Sequence, residues 1–163
     1  MQLVDAGKVR LDAPVRRYVP ELRLAGNAAD RITVRHVLRH TSGLPANASG
    51  GPVLKSARDG TSEQAVAELR GEAPVASPGV EMEYVNANYV LAGLVVERAS
   101  NEPYGSYVER HIFAPLGMTH SFAAPEPTRR AGLAAGHRYA FGFTDATGPT
   151  FHPGSSPRAA CAP

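Results

Sequence analysis

Two side chains suited to moving a proton and orienting a polar substrate, Tyr84 and Asn86, stand two residues apart near the middle of the chain. On an extended or turning backbone, residues i and i+2 project to the same side. The Tyr84 phenol donates or accepts a proton, and the Asn86 carboxamide both donates and accepts hydrogen bonds. A single bound molecule can therefore meet both, a pairing that suits acyl transfer. The same residues also fit a plainer arrangement, with Tyr84 half-buried at a loop–helix junction and Asn86 as the N-cap of the helix that follows.

The elements around the pair must hold it in place. Pro78-Gly79 makes a turn into a short extended run that carries Tyr84 and Asn86. A helix is then expected from about Ala87 to Ser100. It is apolar on most sides (Tyr89, Val90, Leu91, Leu94, Val95, Val96), which predicts central burial. Upstream, Met1 to Lys8 reads as the end of a helix capped by Gly7, with its start expected before the first residue. Pro14 suits a first helical position, and Pro20 stops any short helix there. Thr33 can cap a helix through Val34, Val37 and Leu38 to His40, ended by Thr41-Ser42-Gly43-Leu44-Pro45.

Residues 46–60 are rich in Gly, Ser and Ala and are expected to be a mobile loop. Thr61-Ser62-Glu63-Gln64 matches a capping box for a helix with Ala65, Val66 and Leu69 on one face. Pro103 opens a further helix with Tyr104, Tyr107, Val108 and Ile112, and Pro115 to Met118 is a turn. Leu133 to Phe143 holds the one convincing strand-like segment. Residues 144–163 are expected to be an irregular tail, and the chain 1–163 a partial domain cut at both ends.

Composition narrows the possible classes. A chain of 163 residues, 43% hydrophobic and 20% charged, suits one globular domain. A net charge of +2, spread along the chain, gives no footprint for nucleic acid. The basic residues are fifteen arginines against two lysines, Lys8 and Lys55. One cysteine, Cys161, excludes an internal disulfide. The longest apolar stretch, Tyr89 to Val96, falls well short of the ~20 residues of a membrane span. No signal peptide is visible.

Other reactive patterns are weaker. His36 and His40 are four apart on the predicted helix, as paired zinc ligands are, but Val37 stands where a zinc protease needs its Glu. They are expected to be structural or surface histidines, with no metal and no cofactor. The G-x-S-x-G elbow is absent. Glu81 and Glu83 read as flanking charges on an exposed strand rather than a glycosidase pair. His152-Pro153-Gly154 reads as a loop, since Pro153 cannot donate to a sheet.

Five ordered segments carry a family resemblance. They are Met1-Gln2-Leu3-Val4 with Gly7-Lys8-Val9 and Leu11 to Val15; Ile32 to Leu44; Pro78-Gly79 through Tyr84-Val85-Asn86, with Asn88-Tyr89 and Leu91 to Gly93; Phe113 to Met118; and Leu133 to His137. Together they resemble the serine β-lactamase and penicillin-binding-protein family, in the branch of class C β-lactamases, D-alanyl-D-alanine carboxypeptidases and related esterases. The resemblance implies an α/β fold (β-lactamase/transpeptidase-like), of which this chain supplies mainly the helical lobe, with apolar surface left exposed where the sheet would pack. It implies acyl transfer through a serine ester. Tyr84 would shuttle protons, and Asn86 would hold the Lys and the substrate amide. A later Lys-Thr-Gly or His-x-Gly strand would bind the substrate carboxylate.

The chain departs from that pattern at its lysines. Ser-x-x-Lys needs a serine three before a lysine, but Asp5 precedes Lys8 and Pro52 precedes Lys55. In the family the motif lies on the same helix, ~11 residues before the position of Met1. Lys-Thr-Gly is absent as well and would lie beyond Pro163. No serine here, Ser42 included, has a positioned base, so no nucleophile is assigned.

Three readings stay open: a piece of a serine hydrolase active only when complete, a non-catalytic protein that binds muropeptide-like or acyl ligands, and a small all-α interaction domain. The first implies a small-molecule or peptidoglycan-like substrate and a location outside the cytoplasm for the complete protein. It leaves the choice among β-lactam, D-Ala-D-Ala peptide and ester open.

Overall fold

The computed structural model describes residues 1–45 and 62–123, together with the backbone of 136–140, 143–147 and 160–161. The expected mobile loop at 46–60, the motif residues 133–135 and His152 lie outside the described residues. The first helix, α1 (Gln2–Asp5), ends as its glycine predicts. Gly7 takes φ +69°, its N–H donates to the Val4 carbonyl, and the Lys8 N–H donates to the Leu3 carbonyl. These two bonds make a Schellman motif, which needs a left-handed residue at its hinge. Pro14 precedes, rather than opens, a single 3-10 turn at Val15–Arg17, and it pairs with Thr33 in an isolated antiparallel bridge.

Helix α2 (Val34–Leu38) is capped by Thr33, whose hydroxyl accepts the His36 N–H at 3.2 Å. The His36 Nδ1 accepts the Thr33 N–H in return at 3.3 Å, so an imidazole does the work that Glu or Gln does in the usual capping box. The helix stops at Leu38, two residues short of the predicted end. Helix α3 (Ser62–Glu68) buries Ala65 and Val66 with Leu69 just beyond it, the face the sequence indicates.

The axis of the molecule is α4 (Asn86–Ser100), about 22 Å long at 1.5 Å per residue. Leu91 and Leu94 on it are completely buried, and Asn101 ends it in the left-handed conformation. Two expectations are corrected here. Asn86 is the first helical residue and the extended Val85 is the N-cap, so the Asn86 side chain does not cap. Tyr89 is 48% exposed, because it lies on the side of α4 turned away from the core.

Pro103 precedes α5 (Tyr104–Val108), whose first N–H donates to the Glu97 carboxylate at 2.9 Å. The helix loosens into a π-helical turn at Glu109–Phe113, which leaves Ile112 partly exposed and buries Phe113. Strand β1 (Ser121–Phe122) follows. Strand β2 (Gly136–Ala140), within the predicted strand-like segment, pairs antiparallel with β3 (Phe143–Thr147), and β1 pairs with β4 (Ala160–Cys161). Most of β3 and all of β4 fall within 144–163, the segment expected to be an irregular tail. β3 pairs with the strand just before it, whereas the partner of β4 is the distant β1, which a local pattern cannot register.

One continuous core joins α1, the 15–32 turns, α2, α3 and α4, with Leu22, Ile32, Leu44 and Leu69 fully buried. The loop before α4 is different: Val80, Met82 and Tyr84 alternate along it and are about as exposed as side chains on a free strand.

Candidate active site

The residues that follow α2 form a rail for the loop that carries Tyr84. Val75 N–H donates to the Gly43 carbonyl (2.9 Å), Gly79 N–H to Thr41 (2.8 Å) and Glu83 N–H to His40 (2.9 Å). Two glycines allow this close approach. Gly43 sits at φ +74°, where a Cβ would collide with the Ala76 carbonyl oxygen. Gly79 sits at φ +90°, where a Cβ would lie 3.2 Å from the His36 Nε2. Ser42 is buried on the rail, and its hydroxyl accepts the Leu44 N–H at 3.2 Å. That hydroxyl serves as a turn element, bonded to the backbone two residues on.

Tyr84, Val85 and Asn86 alternate out, in and partly out: Tyr84 is 67% exposed, Val85 is buried and Asn86 is intermediate. Val85 itself is extended, at φ −131° and ψ 119°, a backbone on which the residues before and after tend to the same side. Among the described residues, neither the Tyr84 hydroxyl nor the Asn86 carboxamide has a hydrogen-bond partner. Glu81 and Glu83 are exposed.

The residue that sequence reasoning missed is His40. Its ring lies between Tyr84 (centroids 4.6 Å apart, planes at 35°) and Tyr89 (5.1 Å, 23°). Its Nδ1 accepts the Val85 N–H at 3.2 Å and lies 3.3 Å from the Asn88 side-chain nitrogen. A backbone N–H can only donate, so Nδ1 carries the lone pair and the ring proton is on Nε2; the same logic sets the Asn88 amide with its NH₂ toward the ring. Asn88 is completely buried, and its Oδ1 has no partner. An unmet acceptor of that kind costs about 1–3 kcal/mol. The available signal was positional: Val85, Asn88 and Tyr89 are spaced to face one point from the first turn of a helix.

His36 and His40 do not share a helix face. His36 caps α2, whereas His40 lies beyond its end and turns to α4. No group of three or more His, Cys, Asp or Glu able to hold a metal occurs among the described residues. The clearly shifted acids lie elsewhere. Asp12 is held below the usual aspartate value, mainly by its hydrogen bond from Arg35, and burial pushes the Tyr104 phenol up.

A helix-rich lobe with a Tyr-x-Asn turn at the head of its central helix is the architecture of serine β-lactamases and penicillin-binding proteins. Residues 1–161 match the Beta-lactamase family, and the chain belongs to it. Among curated relatives, the putative penicillin-binding protein PbpX of Bacillus subtilis is 30% identical over 121 residues, 74% of this chain and 28% of that protein. Among solved structures, the octameric penicillin-binding protein homologue from Pyrococcus abyssi aligns with a TM-score of 0.81 and 28% identity, over 99% of this chain and 38% of the other. The D-amino acid amidase from Ochrobactrum anthropi SV3, in complex with D-phenylalanine, gives a TM-score of 0.72 and 27% identity, over 99% of this chain and 48% of that one. The chain therefore spans less than half the length of each of these proteins. No helix among the described residues is long and apolar enough to cross a membrane.

Proposed function

We propose that this chain forms one wall of an acyl-serine hydrolase site, with Tyr84 as the proton-transferring phenol and Asn86 as the group that orients the substrate amide. The observation that supports the reading is the exposure of Tyr84 and the partial exposure of Asn86 on either side of the buried, extended Val85. A phenol near a reacting serine takes and returns a proton, a task worth about 10²–10⁴-fold in rate. A carboxamide beside it fixes the acyl group within reach. The substrates in view are β-lactam, D-Ala-D-Ala peptide or ester carbonyls, and the complete protein would meet them outside the cytoplasm.

The nucleophile must come from elsewhere, since neither lysine of the chain has a serine three residues before it. The isolated chain is therefore expected to be inert. A chimera that supplies the flanking segments of PbpX tests both halves of the reading. The chain alone should not be labelled by a fluorescent penicillin, while the chimera should be, and Tyr84→Phe in the chimera should slow labelling by about 10²-fold or more. Stoichiometric labelling of the chain alone would sink the claim that it holds no nucleophile. Equal labelling of the chimera with and without the Tyr84 hydroxyl would remove the role given to Tyr84.

The same missing Ser-x-x-Lys favours a second reading, a protein of this fold that binds acyl or muropeptide-like ligands without cleaving them. Saturable binding of a D-alanyl-D-alanine peptide to the chain alone, lost in Asn86→Ala, would support it.

A further inference from the structure

Two helices of this chain end in the same hydrogen-bonded hook, and the difference between them singles out His40. At the end of α1 the left-handed residue is Gly7, with φ +69°. At the end of α2, His40 N–H donates to Val37 (3.2 Å) and Thr41 N–H to His36 (2.8 Å), the same two bonds in the same frame. There the left-handed residue is His40, with φ +57°. Glycine adopts this conformation freely, whereas a residue with a Cβ is strained in it. Such strain persists where the surroundings over-determine it, and it clusters at functional sites. Here the surroundings are two tyrosine rings and two N–H donors, all from the segment 84–89.

We infer that His40 is the positioning residue for Tyr84 and Asn86. Its Nδ1 lone pair holds the Val85 N–H, the one backbone donor between the two side chains. Its ring, set between Tyr84 and Tyr89, fixes the direction in which the exposed phenol stands. Its own carbonyl accepts the Glu83 N–H just upstream, so one residue grips the segment on both sides of Tyr84. The left-handed backbone is what aims the imidazole back toward α4 instead of along α2. The proposal rests on the reading of Tyr84 and Asn86 as site residues, and it assigns to this site a component that touches no substrate.

The test uses the 163-residue chain itself. His40→Gly removes the ring and leaves the hook at the end of α2 unstrained. The expected result is a preserved helix signal and a somewhat lower thermal midpoint, since the buried Asn88 amide loses its partner, with exchange of the Val85 amide about tenfold faster. The Tyr84 ring resonances should also lose the shift caused by the facing imidazole. His40→Asn accepts the left-handed conformation and places a carboxamide oxygen near the position of Nδ1. It should restore most of the Val85 protection without restoring the ring shift. In the unaltered chain, imidazole ¹⁵N shifts should report the proton on Nε2. Val85 exchange that is unchanged in His40→Gly, no recovery in His40→Asn, or a proton on Nδ1 would each overturn the proposal. A chimera that fails to react with penicillin would overturn the site reading alone and leave these readouts standing.

Discussion

Helix α4 and the loop that leads into it are held by opposite means. The helix is fixed through its side chains, with Leu91 and Leu94 fully buried in the core it shares with α2 and α3. The loop 75–84 is fixed through its backbone, while its side chains Val80, Met82 and Tyr84 stand in solvent. A site needs this division. On the proposed reading, Tyr84 and Asn86 meet a substrate and cannot also be core, so the main chain and the His40 imidazole would supply the order that burial supplies elsewhere. Stability and site geometry in this molecule are therefore separable, and substitutions can address one without the other.

The largest effect belongs to the helix. Leu91→Ala should cost about 2–5 kcal/mol through lost burial and the cavity left behind, a fall in midpoint of roughly 10 °C for a chain of this size. Below that midpoint the Val85 amide should stay protected. A loop that opens while the fold remains intact would show that the two regions are not separable.

Gly43→Ala should act next, and in the opposite pattern. A Cβ there meets the Ala76 carbonyl on a backbone already at φ +74°, so the rail and the loop must move apart. Strain and overpacking together suggest about 1–3 kcal/mol. The expected reading is rapid exchange at Val75 and Gly79 with little change in the helix signal. Unaltered exchange at those two amides would remove the rail from the account.

Thr33→Ala is smaller, about 1 kcal/mol, because it deletes a single N-cap bond. Since His36 returns a bond to the Thr33 N–H, which the substitution leaves in place, α2 should fray at its start and keep its end. A circular dichroism loss together with faster Val85 exchange would instead tie the cap to the site.

The same division explains what could be read from residue types alone. The core was written in the spacing of Leu91, Leu94 and Val95, because burial selects side chains by periodicity. Gly7 and Thr33 were readable as caps for a similar reason, since each local geometry admits few residues. Tyr84 and Asn86 were readable through their spacing. His40 was not, because its partners lie 44 to 49 residues away by numbering and its left-handed backbone appears only once α2 closes. Asn86 misled in the opposite direction: a good capping residue stands at the first helical position, and Val85, buried, extended and with no capping group, holds the N-cap. Strand β4 escaped because its partner, β1, lies about 40 residues earlier in the chain, and strand pairing is a property of two segments at once.

The smallest expected effect concerns the ion pair that ties α2 to the turn before it. Arg35 donates to both oxygens of Asp12, at 2.7 and 3.0 Å, and this holds the Asp12 carboxyl below its usual value. A lowered folded-state value means that the pair stabilises the fold above the ordinary aspartate range and that its contribution is lost as pH falls through the lowered value. The pair lies at the surface, so salt screens it and its contribution is small. Two backbone bonds duplicate its work, Val34 N–H to Ala13 and Arg35 N–H to Leu11. Asp12→Asn should therefore lower the midpoint slightly at neutral pH and low salt, with the difference vanishing in acid and in high salt. It should leave Val85 exchange untouched, since α2 stays anchored through its main chain. Faster Val85 exchange in this variant would mean that an exposed charge pair, and not the backbone, sets the position of the rail.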